Sequence, residues 1–148
     1  MNRIACIVAA ALAVIPPARV TAQQTAKDSV IAVVNEFFRA MTARDTAAFA
    51  RTQMSDGILY AVRARADSVV IRRQTVEASV GMIGTTRDTF VERMWDPTVH
   101  IHGPIAVVWT PYDLHRNGQF SHCGIDAFTL IRASAGWKIA TVTYTVEP

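Results

Sequence analysis

The sequence predicts an α+β domain in which helices pack against an antiparallel sheet. Three observations carry this. Apolar residues repeat at helical spacing between Val30 and Met41. A long stretch from Ile105 to Val146 alternates in steps of two and is broken by two tight turns. Helical and extended segments are segregated along the chain rather than alternating one for one, which separates this class from a parallel α/β sheet.

Taken in order, the chain opens with a short basic start, Met1-Asn2-Arg3, and an alanine-rich apolar run from Ile4 to Ile15. Pro16-Pro17 breaks the run, and Val20-Thr21-Ala22 has the small residues of a cleavage site before Gln23. This is the pattern of a secretory signal peptide over residues 1–22, leaving a single domain over 23–148 in the periplasm or outside the cell. The run is too short to span a membrane. Cys6 raises the alternative of a lipoprotein anchor, but nothing apolar of useful length precedes it.

Gln23 to Lys27 reads as a frayed start, with Asp28 or Ser29 capping a helix through the first free N–H groups. Val30, Val33, Val34, Phe37, Phe38 and Met41 form its buried stripe, and it ends near Arg44. Asp45 caps a second, short helix over Thr46 to Thr52, and Ser55-Asp56-Gly57 reads as a turn. Ile58 to Val62 and Val69 to Ile71 read as strands joined through Arg65-Ala66-Asp67. One helix from Asp67 to Ile83 competes, but the β-branched run favours strand. Thr75 caps a helix through Ile83, closed by Gly84. Phe90 to Trp95 is a strand interrupted at Asp96-Pro97 and resumed at Val99 to His102, and Gly103-Pro104 turns into Ile105.

The last stretch sets side-chain positions. Asn117-Gly118 between alternating runs is the signature of a type I′ hairpin, because both central residues need φ > 0. A two-residue loop places Asp113 opposite His122 and Trp109 opposite Asp126. Alternation then gives one face Val107, Trp109, Pro111, Asp113, His115, Phe120, His122, Gly124, Asp126, Phe128 and Leu130. A four-residue turn over Ala133 to Gly136 adds Trp137, Ile139, Thr141 and Thr143 to it. Large aromatics with a few convergent polar groups make a pocket wall. Pro111 opposite Gly124 is the place where a bulge would shift the register.

Composition narrows the function classes. The chain has 148 residues with a formal net charge of +3 and a sequence pI near 9.2. Loss of Arg3 and Arg19 leaves 13 basic against 12 acidic residues, about +1, which does not argue for nucleic acid. The mature chain keeps Cys123 alone, so no internal disulfide forms, and the core must hold the fold.

Several residues are candidates for chemistry. Asp113 beside His122 would orient the imidazole and raise its basicity, as a general base requires. The plainer alternative is a structural ion pair near the hairpin tip. Asp126, set deeper between Trp109 and Thr143, could carry a raised pKa as acid or base. Trp109, His115, Phe120 and Phe128, with Tyr60 on the first strand, are the candidate ligand contacts. His100 and His102 form His-x-His without a third ligand, so no metal is expected. Cys123 points away from His122 and forms no dyad with it. Arg63, Arg65, Arg72 and Arg73 cluster on the first hairpin, either meeting an anionic ligand or simply solvated.

The helix Val30–Met41, the strand Ile58–Val62 and the ending Trp109-Thr-Pro-Tyr-Asp113, Gly118-Gln-Phe-Ser-His-Cys-Gly124-Ile-Asp-Ala-Phe128 and Gly136-Trp-Lys-Ile139 resemble the nuclear transport factor 2-like (NTF2-like, SnoaL-like) superfamily. More narrowly, they resemble its secreted lumazine-binding members. The resemblance covers nearly all of residues 23–148. It implies a cone of helices packed in a strongly curved antiparallel sheet, one deep pocket and a homodimer. Members include steroid isomerases, polyketide cyclases, dehydratases, epoxide hydrolases and non-enzymes, so the fold does not give the function. The isomerases use a strand aspartate as base with a tyrosine and a second acid as oxyanion donors; those three do not align onto this sequence.

The sequence therefore favours a secreted protein binding a small apolar or aromatic molecule in a single pocket, with no cofactor, no nucleic acid and no membrane after cleavage. The runner-up is a cofactor-independent isomerase, dehydratase or cyclase using Asp113–His122 or Asp126. The third class is a dimeric interaction module without ligand. The face opposite the expected pocket, with Val108, Tyr112, Leu114, Ile125, Ala127, Ile131, Val142, Tyr144 and Val146, is apolar along its length and should be covered by a second copy.

Overall fold

The computed structural model describes residues 18–148, with side chains from Ala22 onward. The apolar run of the expected leader lies outside the described residues. Three helices and seven strands follow in the order α1 (Ala18–Ala43), α2 (Thr46–Arg51), β1 (Gln53–Arg65), β2 (Ser68–Thr75), α3 (Val76–Thr85), β3 (Phe90–Met94), β4 (Thr98–His102), β5 (Ile105–Arg116), β6 (Gln119–Ala133) and β7 (Gly136–Thr145). Among these, no helix is long and apolar enough to cross a membrane.

Helix α1 starts well before the expected caps. No Gly or Pro interrupts residues 18–43. Gln24 donates to Asp28 Oδ1 one turn on (2.9 Å), and Ser29 Oγ donates back to the Ala26 carbonyl (2.7 Å) rather than capping. At the other end Arg44 turns left-handed (φ 57°), and Asp45 accepts from Ala48 N–H at 2.9 Å. That cap starts α2, as its sequence requires. Thr75 caps α3 in the same way through Ala78 N–H (3.2 Å).

The sheet order is β2-β1-β7-β6-β5-β3, with β4 also on β5. β1 runs parallel to β7, so the sheet is mixed, not purely antiparallel as expected. It is also open and not strongly curled, with β2 and β3 at the ends of the order. Ser55-Asp56-Gly57 does not end β1 as a turn. It falls where the register shifts between Gln53 and Ile58, and the strand continues through it. At Gly57 a Cβ would stand 3.0 Å from the Met54 carbonyl oxygen, so the strand passes there without a side chain.

The Asn117-Gly118 turn forms as its residue types demand, with φ 54° and 77°. Asn117 Oδ1 accepts from Thr89 N–H (2.9 Å) and Nδ2 donates to Asp88 Oδ1 (2.8 Å), fastening the hairpin tip to the loop before β3.

Helix α1 lays its stripe on one sheet face. Val30, Val34, Phe37, Phe38 and Met41 meet Phe128, Leu130, Ile139 and Val142 in one buried cluster. Phe128 is 0% exposed and takes Phe37 and Phe38 edge-on, each at 5.8 Å. Such pairs add about 0.5–1.5 kcal/mol each beyond the area they bury.

Candidate functional site

Two bulges decide what faces the helices. His115 pairs with Phe120, as the turn predicts, but Leu114 then pairs with His122, leaving Ser121 as the extra residue. On β7, Leu130 pairs with Ile139 and Thr129 with Thr141, leaving Ala140 extra. Each extra residue flips the alternation beyond it. The slip therefore lies between the turn and the expected pair, not at Pro111.

The consequences for the expected site residues are direct. Asp113 pairs with Cys123, and His122 lies on the other face with Leu114, so the Asp113–His122 pair does not form. Asp113 instead accepts from Arg93 Nε at 2.9 Å, with His115 Nδ1 3.7 Å away, on the face turned from the helices. The Arg93 hydrogen bond holds its carboxyl below the usual range. Trp109 pairs with Ala127 rather than Asp126, and is 54% exposed on that outer face. His115 and Phe120 lie there edge to face, with Phe120 exposed. Tyr60 pairs with Thr143 and Arg73 and also faces outward. Phe128 faces inward but serves the core. His100 and His102 pair with Val107 and Ile105 on the outer face. Among the described residues no group of three His, Cys, Asp or Glu could hold a metal.

Of the expected set, His122 and Asp126 face the helices, and both line a cavity of about 500 Å³. Phe37 and Met41 of α1, Phe49 of α2 and Met82 and Ile83 of α3 form one wall. Leu59, Glu92, Tyr112, Leu114, Val142 and Tyr144 of the sheet form the other, with Arg72, Arg73 and Gln74 of β2 also on the lining. The expected outer-face residues Val108, Tyr112, Leu114, Val142 and Tyr144 are thus inner ones.

Asp126 is 1% exposed, and its Oδ2 has no conventional donor. Its neighbour is a second carboxyl, Glu92 of β3, which can donate only when it carries a proton. Burial pushes Asp126 up to about 7, against the lowering effect of the hydrogen bond with Glu92. Glu92 is held well above the usual carboxylate range by burial, then by the charge of Asp126 and the bond between them. Neither carboxyl has a cation partner among the described residues. The arrangement is a carboxyl dyad that favours a shared proton, because two like charges at close range cannot both ionise.

Two tyrosines flank the dyad. Tyr112 donates to the Thr145 carbonyl at 2.7 Å and is committed there. The Tyr144 hydroxyl makes no hydrogen bond to the described residues, and burial raises its pKa, so it is a neutral donor on a residue that lines the cavity. Burial lowers His122, helped by the charge of Arg63, which leaves the ring neutral at pH 7. Its Nδ1 lies 3.1 Å from Ser121 Oγ.

Glu92 and Tyr144 escape a reading centred on the hairpin, whereas Arg72 was already singled out with the arginines of the first hairpin. The available signal for Glu92 was Phe90-x-Glu92-x-Met94, a carboxylate between two large apolar residues on one strand face. For β5 it was the charge and imidazole on Asp113 and His115, which belong on the wet side of a half-buried strand.

No protein-family model matches the sequence, and no curated protein is detectably similar to it. Solved structures do share its architecture. An NTF2-like protein with a cystatin-like fold from Novosphingobium aromaticivorans superposes with a TM-score of 0.69 at 14% identity, covering 87% of this chain and 86% of that one. An NTF2-like superfamily protein from Salmonella enterica serovar Typhimurium gives 0.67 at 15% identity, with 85% and 94% covered. An NTF2-like protein from Streptomyces avermitilis, provisionally called a dehydratase, gives 0.65 at 14% identity, with 85% and 99% covered. At these identities the likeness is one of fold, and the fold of this chain is NTF2-like.

Proposed function

We propose that this protein is a cofactor-independent acid–base enzyme acting on a small, mostly apolar molecule held in the cavity. One observation carries the reading: a carboxyl dyad, buried Asp126 with partly buried Glu92, has no cation partner among the described residues and faces an apolar cavity large enough for a one- or two-ring molecule. A purely structural carboxylate in such surroundings would be costly unless paired with a cation. A shared proton gives the dyad a base and an acid in one place. Asp126 removes a proton next to a carbonyl, Tyr144 donates a hydrogen bond to the carbonyl oxygen, and Glu92 supplies a proton elsewhere on the substrate. The dyad ends with one proton, as it began. The three residue types match those used by the isomerases of the resembled superfamily, where apolar surroundings likewise keep a carboxylic acid protonated. A flat heteroaromatic ring such as lumazine falls within the class that the cavity would take.

Export and dimerisation are part of this proposal. The leader pattern supports a mature chain starting at or near Gln23, which mass spectrometry of exported protein checks. The true outer sheet face, with Ile105, Val107, Trp109, Ala127, Thr129 and Ile131, supports a second copy covering it.

Deuterium exchange at the α-carbons of 1-indanone and 2-tetralone, followed by NMR, tests the chemistry. Wild type should accelerate exchange over buffer, and Asp126→Asn should lower the rate about a hundredfold or more. Saturable binding of the ketones without faster exchange would sink the enzymatic reading and leave a binding protein.

A further inference from the structure

Beside the main cavity lies a second compartment of about 390 Å³ with a different chemistry. Its lining includes Arg63, Arg65 and Arg72 with His122, Tyr144 and Val146. Arg72, His122 and Tyr144 line both spaces, so the two adjoin.

The placement of the arginines follows from the β1–β2 register. Ala61 pairs with Arg72, Arg63 with Val70 and Arg65 with Ser68. Ala61 also pairs with Tyr144 across β7, and Leu59 with Val142, both on the face turned to the helices. Arg63, Arg65 and Arg72 therefore share that inner face. Asp67 is the one carboxylate between Arg63 and Arg73 in the sequence. Among the described residues, none of Arg63, Arg65, Arg72 and Arg73 forms an ion pair, and none donates a side-chain hydrogen bond. Among the described residues, the arginine ion pairs use Arg39, Arg93 and Arg116.

From this juxtaposition we infer that the compartment binds the anionic group, a carboxylate or a phosphate monoester, of a ligand whose apolar body occupies the main cavity. Guanidinium groups present planar pairs of donors that match both oxyanions. Three of them on one face without counter-ions form a positive field that draws an anion in. The same field acts on the shared wall, since Arg63 lowers the pKa of His122 and Arg72 acts to lower that of Tyr144. It also fixes the ligand's direction. An anion is repelled by the Asp126–Glu92 dyad and attracted by the arginines, so the charged end stays at β1–β2 and the apolar end reaches the dyad. This rests on the acid–base reading for what the dyad does, but not for the anion site itself.

Calorimetric titration with 1-naphthoate, 1-naphthyl phosphate and 1-naphthalenemethanol tests it by binding alone. Wild type at low salt should bind one or both anions at least about tenfold more tightly than the neutral alcohol, and added salt should shrink the difference. The tighter of the two anions identifies a carboxylic acid or a phosphate monoester as the ligand class. Arg63→Gln with Arg65→Gln, which line the second compartment and not the main cavity, should remove the preference while leaving affinity for the alcohol unchanged. Both arginines are exposed on a hairpin, and circular dichroism verifies that the variant is folded. No anion preference in wild type, or a preference that survives the double substitution, would overturn the inference. Anion preference without ketone exchange refutes the enzymatic reading alone, whereas exchange without anion preference refutes this one alone.

Discussion

Asp126→Asn should make the protein more stable above neutral pH while removing its activity. The Asp126 carboxyl rises from an ordinary 3.8 to about 7 because burial opposes its charge. A folded-state pKa above the unfolded one means that the native chain holds a proton which the unfolded chain releases. Stability is therefore full below about pH 4, declines as pH rises towards about 7, and levels off above it. Each tenfold change in proton affinity is worth about 1.4 kcal/mol, so the full decline is on the order of 4 kcal/mol. Sharing of the proton with Glu92 reduces the part carried by Asp126 alone, so a gain of about 1–3 kcal/mol for Asp126→Asn at pH 8 is the expected outcome. The amide is neutral, nearly isosteric and able to donate to Glu92. Thermal melts from pH 5 to 9 should show the variant higher by roughly 3–5 °C per kcal/mol at the alkaline end, with a flatter pH profile. A functional site held at a cost to stability behaves in this way. An Asp126→Asn protein that melts lower than wild type across the range, or keeps the wild-type slope, would refute the dyad.

Three further outcomes follow from the same geometry. Asp113→Asn should leave activity unchanged and shift stability by less than about 1 kcal/mol, since Arg93 across the strand is largely exposed; a large loss of turnover would restore Asp113 to the site. Trp109→Glu should convert a dimer to a folded monomer in light scattering, whereas a wild type that is monomeric at high micromolar concentration would refute the dimer itself. Gly124→Ala should cost on the order of 1–3 kcal/mol in denaturant melts, because a Cβ there would run into the Thr145 carbonyl oxygen.

Much of the fold was legible because local chemistry dictated it. Asp45 and Thr75 cap helices, Asn117-Gly118 turns a hairpin, and the Val30–Met41 stripe packs on the sheet. The mixed sheet was not legible, since the parallel β1–β7 contact joins residues about eighty positions apart and leaves no local trace. The site was half legible. Even-numbered positions of β6 beyond the bulge were placed correctly, which brought His122 and Asp126 inward, whereas Phe120 before it lies on the outer face. Odd-numbered positions of β5 were placed on the wrong side, because alternation was counted across a hairpin that contains a bulge. Tyr60 failed for another reason: an aromatic residue on a strand says nothing about which face is inner until the neighbours are known. Its partners Thr143 and Arg73 show that it faces outward.

The bulge itself yields the last prediction. Deleting Ser121 should be nearly neutral. With Ser121 absent, His115 still faces Phe120 and Leu114 still faces His122, so the ladder becomes regular and no inner residue changes face. Its hydroxyl contact with His122 Nδ1 and some local twist are lost, together worth about 1 kcal/mol or less. In a hairpin without a bulge the same deletion would move the tip one step against β5. Every residue on one side of it would then exchange inner and outer positions, and the tie from Asn117 to Asp88 and Thr89 would break. A deletion protein with near wild-type melting temperature, and with Asp126 still carrying its raised pKa by NMR titration, fits the first case. Loss of cooperative unfolding fits the second, and would mean that β6 does not place Asp126 against Glu92 in the way described.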